Sequence, residues 1–281
     1  GLTGALHVND DVTVLDVYDV KEKNYIKGDG LNMPFKDGEF DFVVSFDVFE
    51  HIPKKNREKF IIESSRVAKI ALITAAPIGT KENESAENYL NEIHKKLYKK
   101  DHIWLKEHIE YGIPGPSLAR DLMTELNLKV LIAGSNDTVL WTLMQSAVFI
   151  NAKFDKGQQS LTKLNRLYNH IAYNDGTMNP DESYRHIVFG FKDYLQSKKA
   201  EEFLNKHDEV ISLQNKVDIA YELNLHYINT LFEYTKSYEE LYKLFVDKIK
   251  EKEVLQKTID SLIKENDHLK TSIPFEEQDR T

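Results

Sequence analysis

Asp29, Asp47, Glu50 and His51 fall in one stretch, residues 25–53, which reads YIKGDGLNMPFKDGEFDFVVSFDVFEHIP. A short strand there ends in Gly28-Asp29-Gly30, and a Leu-x-Met-Pro-Phe turn and a Lys-Asp-Gly-Glu tight turn follow. A buried strand then runs to Asp47, and Glu50-His51-Ile52 opens a helix. Upstream, residues 12–19 (VTVLDVYD) read as a buried parallel strand ending in acids. In nucleotide-binding α/β folds an acid at the end of the second strand accepts hydrogen bonds from ribose hydroxyls. Asp16 is the first candidate for that contact and Asp19 the second. His51 has the side chain whose ordinary pKa suits a general base near neutral pH. It could equally be a helix N-terminal residue bonded to backbone. Glu50 reads as a first-turn acid favoured by the helix dipole.

The elements that must position these groups alternate. Residues 54–67 form a charged amphipathic helix with Phe60, Ile61 and Val67 on its apolar side. Residues 70–75 (IALITA) are another buried strand, residues 116–126 a helix, and residues 128–133 the next strand. Residues 184–192 alternate and read as the last strand, antiparallel at the far side of the sheet. Strands spaced by helices imply a parallel sheet with the ligand at the carboxyl ends of the strands. Asp16, Asp29 and Asp47 all fall at such ends.

The order of these motifs resembles the middle of a class I S-adenosylmethionine (SAM) dependent methyltransferase, and the resemblance covers residues 1–192. It implies an α/β, Rossmann-like sheet with helical insertions, and SAM as cofactor. Asp16 would bind the ribose, and Asp29 with the Gly30-Leu31 backbone the adenine edge. Ser45, Phe46 and Asp47 would border the methionine end, and His51 would face the acceptor. The family places a Gly-rich loop after its first strand. Fifteen residues separate Gly1 from Asp16, the family's usual step from the last glycine of that loop. Gly1 is therefore expected to be the tail of a truncated loop, with the first strand missing. The acceptor implied is a small molecule or a sugar hydroxyl, as in surface-glycan assembly, and the compartment the cytoplasm. A degenerate, oligomerising scaffold is the competing reading. A dinucleotide oxidoreductase fits the D-G-x-x-M-P-F turn less well.

Composition narrows the remaining classes. The chain has 281 residues, no cysteine and a net charge of −9. A disulfide framework and a thiolate metal site are excluded, and a general electrostatic grip on nucleic acid is disfavoured. No run approaches the ~18 apolar residues of a membrane span. Two insertions decorate the sheet. Residues 79–116 hold a polar helix (residues 83–100) and DHIWLKEHIEYGIPGP. They suggest either a lid over the acceptor pocket or a packed surface segment anchored by Trp104. His94, His102 and His108 are spaced by eight and six, unlike i, i+4 ligands on one helical face, so no metal site is expected. Residues 138–173 are apolar at helical spacing (Leu140, Leu143, Met144, Ala147, Phe149, Ile150) and read as a core or pocket-wall helix pair.

A composition break near Gly190 separates a domain of residues 1–193 from a region of residues 194–281. With position a at Phe203, sixteen of 21 a and d positions to Ile273 are apolar or aromatic, in one unbroken register. A period of 3.5 residues favours a left-handed coiled coil and a homo-oligomer. Ile259 and Asn266 at a, with Leu262 at d, resemble a parallel two-stranded seam. The aromatic-rich first half could instead pack on the catalytic domain.

Overall fold

A computed structural model describes residues 11–19, 21, 24–154, 162, 180, 183–206, 236, 239–240, 242–244 and 246–265. Two compact units result, Gly1–His226 and Tyr227–Thr281.

The first unit is α/β. Its strands are β1 (Val14–Asp16), β2 (Tyr25–Lys27), β3 (Phe40–Phe46), β4 (Ala68–Pro77), β5 (Lys129–Asp137) and β6 (Ser183–Phe191). The helices are α1 (Arg57–Val67), α2 (Lys81–Tyr98), α3 (Ile103–Tyr111), α4 (Leu118–Glu125), α5 (Thr138–Phe154) and α6 (Tyr194–Lys206). β1 and β2 pair in parallel, and a second sheet has the order β3-β4-β6-β5. β3 and β4 are parallel, whereas β6 runs antiparallel between β4 and β5. The last strand is thus antiparallel as its sequence suggests, but it lies inside the sheet, and β5 takes the edge. Among the described residues no ladder joins the two sheets.

The core follows from the apolar pattern. β4 is nearly continuous in Ala, Ile and Leu, as a strand covered on both faces must be. α1 lays Phe60, Ile61 and Val67 against the sheet, and Phe49, Leu72, Met123, Leu128 and Val188 complete the same cluster. Gly190 lets α4 approach β6, since a Cβ there would stand 2.8 Å from both Leu128 and Met123. The stretch before β3 is held from α1. Arg66 donates to the carbonyls of Met33 and Phe35 and to the carboxylates of Glu63 and Asp37, while Glu63 accepts from the Met33 amide. Gly38, at φ 61°, makes the tight turn that the Lys-Asp-Gly-Glu sequence predicts.

A second core forms where α2 and α5 pack, through Leu90, Leu105, Trp141, Phe149 and Tyr184. The core alternative for residues 138–154 agrees with buried Leu140, Met144, Ala147 and Phe149; residues 155–161 and 163–173 lie outside the described residues. Trp104 does not anchor its segment. It is 61% exposed, and Leu105 and His108 form the buried face of α3 instead. α6 packs on β5 and β6, so the helical region after Gly190 begins on the sheet.

In the second unit, residues 246–265 are helical. Leu255, Ile259 and Leu262, at heptad core positions, are exposed in the single chain. Asn266, Ile273 and the heptads of residues 207–235 lie outside the described residues.

Candidate functional site

The acids lie at strand ends, two on the β1-β2 pair and one on the larger sheet. Asp16 closes β1, Asp29 follows β2, and Asp47 follows β3. Asp16 is half-buried; its carboxylate accepts from the Tyr18 amide (3.2 Å) and from Tyr25 Oη (3.1 Å). An ionised carboxylate has about four acceptor positions, so capacity remains for ribose hydroxyls. Asp19 is exposed and outside β1, so Asp16 is the better placed of the two. Asp29 Oδ1 accepts from the Leu31 amide at 2.9 Å, which fixes the Gly30-Leu31 backbone. Leu31 itself packs on the main core. Ser45 is buried and donates to Thr74 Oγ1, and Phe46 ends β3 half-buried. Asp47 sits at φ 54°, a left-handed conformation rare for a residue with a side chain, and forms an ion pair with Arg185. Gly1 lies outside the described residues.

Asp47 leads into a 3-10 turn, Phe49–His51, with Glu50 the acid of its first turn as the sequence suggests. The side chain is 1% exposed, which the sequence does not disclose, and its Oε2 has no hydrogen-bond partner. Burial is the main reason its pKa is raised to about 7; its own backbone hydrogen bond opposes this and the Asp47 charge adds to it. His51 meets Glu107 through Nδ1 at 2.8 Å. Burial, then the nearby His108, pulls its pKa down against the opposing pull of Glu107.

α3 brings His108 to the same place, its ring centroid 4.8 Å from that of His51. His108 is buried and its Nδ1 meets both oxygens of Glu87, at 3.0 and 2.9 Å. Tyr184 Oη donates to Glu87 as well, at 2.6 Å. Burial lowers the His108 pKa, but the Glu87 hydrogen bond and charge, with Glu50 and Asp47, more than offset this, and the net shift is upward. His108 Nε2 is buried and unpartnered.

Arg57 ties the two halves together. This buried guanidinium donates to the carbonyls of Ile52 (2.9 Å) and Glu50 (3.2 Å) on one side and to that of Gly112, just past α3, on the other. One ligand atom each from Glu50, His51 and His108 lies within 4.8 Å of the others, so these three could hold a metal ion. The histidine spacings argue against a set of His94, His102 and His108. In the structure His94 meets Phe149 edge-on and His102 meets it at a tilt, while His108 joins a different group. Glu87, Glu107, Arg57 and Tyr184 were not legible as site residues. One signal could have pointed to α3: Glu-His-Ile occurs at Glu50-His51-Ile52 and again at Glu107-His108-Ile109.

Residues 9–71 match the family model described as a methyltransferase domain. Norajmaline N-methyltransferase of Rauvolfia serpentina is 51% identical over 41 residues, 15% of this chain and 13% of its own. The chain thus shares only a small part of that relative's length. A SAM-dependent methyltransferase of Thermotoga maritima superposes loosely (TM-score 0.36, 13% identity, 60% of this chain and 64% of that one). So does phosphoethanolamine N-methyltransferase 2 of Haemonchus contortus, solved with phosphomonomethylethanolamine and S-adenosylhomocysteine (TM-score 0.34, 15% identity, 59% and 36%). Over residues 9–71 the chain matches the model of a methyltransferase domain, which is a minority of its 281 residues.

Proposed function

We propose that this chain transfers the methyl group of SAM to a hydroxyl of a small molecule or sugar. The observation that carries the reading is that Asp16 and Asp29 stand at the ends of the paired parallel strands β1 and β2, while Asp47, after β3, leads into the turn that holds the half-buried His51. Asp16 would hold the ribose hydroxyls, and Asp29 with the Gly30-Leu31 backbone the adenine edge. Ser45, Phe46 and Asp47 would border the methionine portion. When bound, SAM supplies a methyl group on a sulfonium, an electrophile that needs an in-line nucleophile. The chain's task is therefore chiefly positioning. Because the sulfonium charge fades in the transition state, strong anionic contacts at sulfur would favour the ground state. The Arg185 ion pair on Asp47 suits that requirement, since it tempers the nearest carboxylate. Glu107 orients the His51 ring, and His51 would take the acceptor proton.

A domain of residues 1–193 followed by a self-associating helical region is the organisation we favour, supported by the exposed apolar positions of the helix at 246–265.

The test is methyl transfer from labelled SAM to a panel of glycan and small-molecule hydroxyl acceptors. Label in a hydroxyl acceptor, lost in Asp16→Ala, supports the reading. Label only in amine acceptors would replace the acceptor class, and no transfer with intact SAM binding would favour the scaffold.

A further inference from the structure

Three side chains of the site are arranged as ligands rather than as ordinary buried polar groups. Buried polar atoms are almost always hydrogen-bonded, and leaving one unpaired costs free energy. Glu50 Oε2 and His108 Nε2 are both buried and both unpaired, and they belong to the same cluster with His51. The two imidazoles share a second property. Each has Nδ1 engaged by a carboxylate, His108 by Glu87 and His51 by Glu107, which leaves Nε2 as the ring nitrogen to ligate. Carboxylates behind the ligating histidines are how metal sites fix ring tautomer and orientation. Arg57 and Tyr184 hold the two ends of this frame in turn.

We propose that Glu50, His51 and His108 form a binding site for one divalent transition-metal ion. Two imidazole nitrogens and one carboxylate oxygen favour manganese, iron, cobalt or zinc over calcium or magnesium, which prefer all-oxygen sets. Bond lengths of about 2.0–2.2 Å put ligand atoms on one ion roughly 3–4 Å apart. The cluster, within 4.8 Å, needs only a small closing movement of side chains. Three protein ligands leave positions for oxygen donors. An ion there would make an acceptor hydroxyl more acidic; its proton would then leave to solvent, with His51 holding the ion in place of the base role given above. That last role rests on the methyl-transfer reading; the ion's binding does not.

The experiment uses tag-free full-length chain, stripped with chelator and titrated separately with Zn²⁺, Co²⁺ and Mg²⁺. Calorimetry gives stoichiometry, and the visible absorption of Co²⁺ reports nitrogen and oxygen ligation. The proposal expects one Zn²⁺ or Co²⁺ per chain, much weaker Mg²⁺, and a melting temperature raised by the ion. Glu50→Gln and His51→Gln should each weaken binding at least tenfold, and Glu87→Gln by about 10–100-fold through its hold on His108. His94→Gln, outside the cluster, should leave it unchanged. Circular dichroism of each variant without metal separates lost ligands from lost folding. No stoichiometric uptake by the folded wild-type chain, or uptake indifferent to both Glu50→Gln and His51→Gln, overturns the site. S-adenosylhomocysteine titrated into the same samples tests the methyl-transfer reading independently.

Discussion

Asp16 and Asp37 are both carboxylates close to backbone turns, yet their surroundings give them different roles. Asp16 ends a strand with two donors already on it and acceptor capacity to spare. Asp37 is 83% exposed and only adds to the grip of Arg66 on its turn. Asp16→Ala should therefore weaken S-adenosylhomocysteine by about 1.5–3 kcal/mol, the usual worth of hydrogen bonds to a charged group. Asp37→Ala should leave that affinity almost unchanged and touch folding only slightly. Calorimetric titration of both variants checks the assignment, and equal losses would contradict it. The contrast also shows what single residues disclose. That Asp16, Asp29 and Asp47 stand at strand ends is readable, because the strands are. The burial of Glu50 is not, because nothing local separates an exposed first-turn acid from one that α3, more than fifty residues later, covers.

At the scale of elements, α1 is more than a cover for the sheet. Through Glu63 and Arg66 it holds the turn between β2 and β3, just after Gly30-Leu31. The Arg66 hydrogen bond, chiefly, keeps the Glu63 pKa below its ordinary 4.5. A depressed carboxylate pKa contributes stability that is present above the unfolded value and lost as pH falls through the folded one. Glu63→Gln should therefore be less stable than the parent at pH 7, with the gap closing below about pH 4. Urea unfolding at pH 7 and at pH 3 measures this, and a gap that persists in acid would contradict it. The elements themselves were largely legible, since α1, β3, β4 and α4 follow their apolar periods. The position of β6 was not. Its alternation indicates a strand but carries no information on which neighbours it pairs with, and pairing with both β4 and β5 is decided by tertiary packing.

For the whole molecule, the exposed Leu255, Ile259 and Leu262 of the last described helix are what a chain viewed alone would show if that face met a second copy. Replacing Leu255 and Leu262 together by lysine should turn an oligomer into a monomer while leaving circular dichroism of the α/β unit intact. Sedimentation equilibrium at tens of micromolar decides, and a wild-type monomer would end the coiled-coil reading.

The measurement that tests the central claim most directly is a competitive titration of cofactors. S-adenosylhomocysteine, SAM and NAD are titrated in parallel into the folded 281-residue chain and into its Asp16→Ala variant. The account predicts that the chain binds SAM and S-adenosylhomocysteine at one site and NAD not at all, and that Asp16→Ala weakens both. Binding of NAD in preference to SAM, or no binding of SAM by the folded chain, would contradict it.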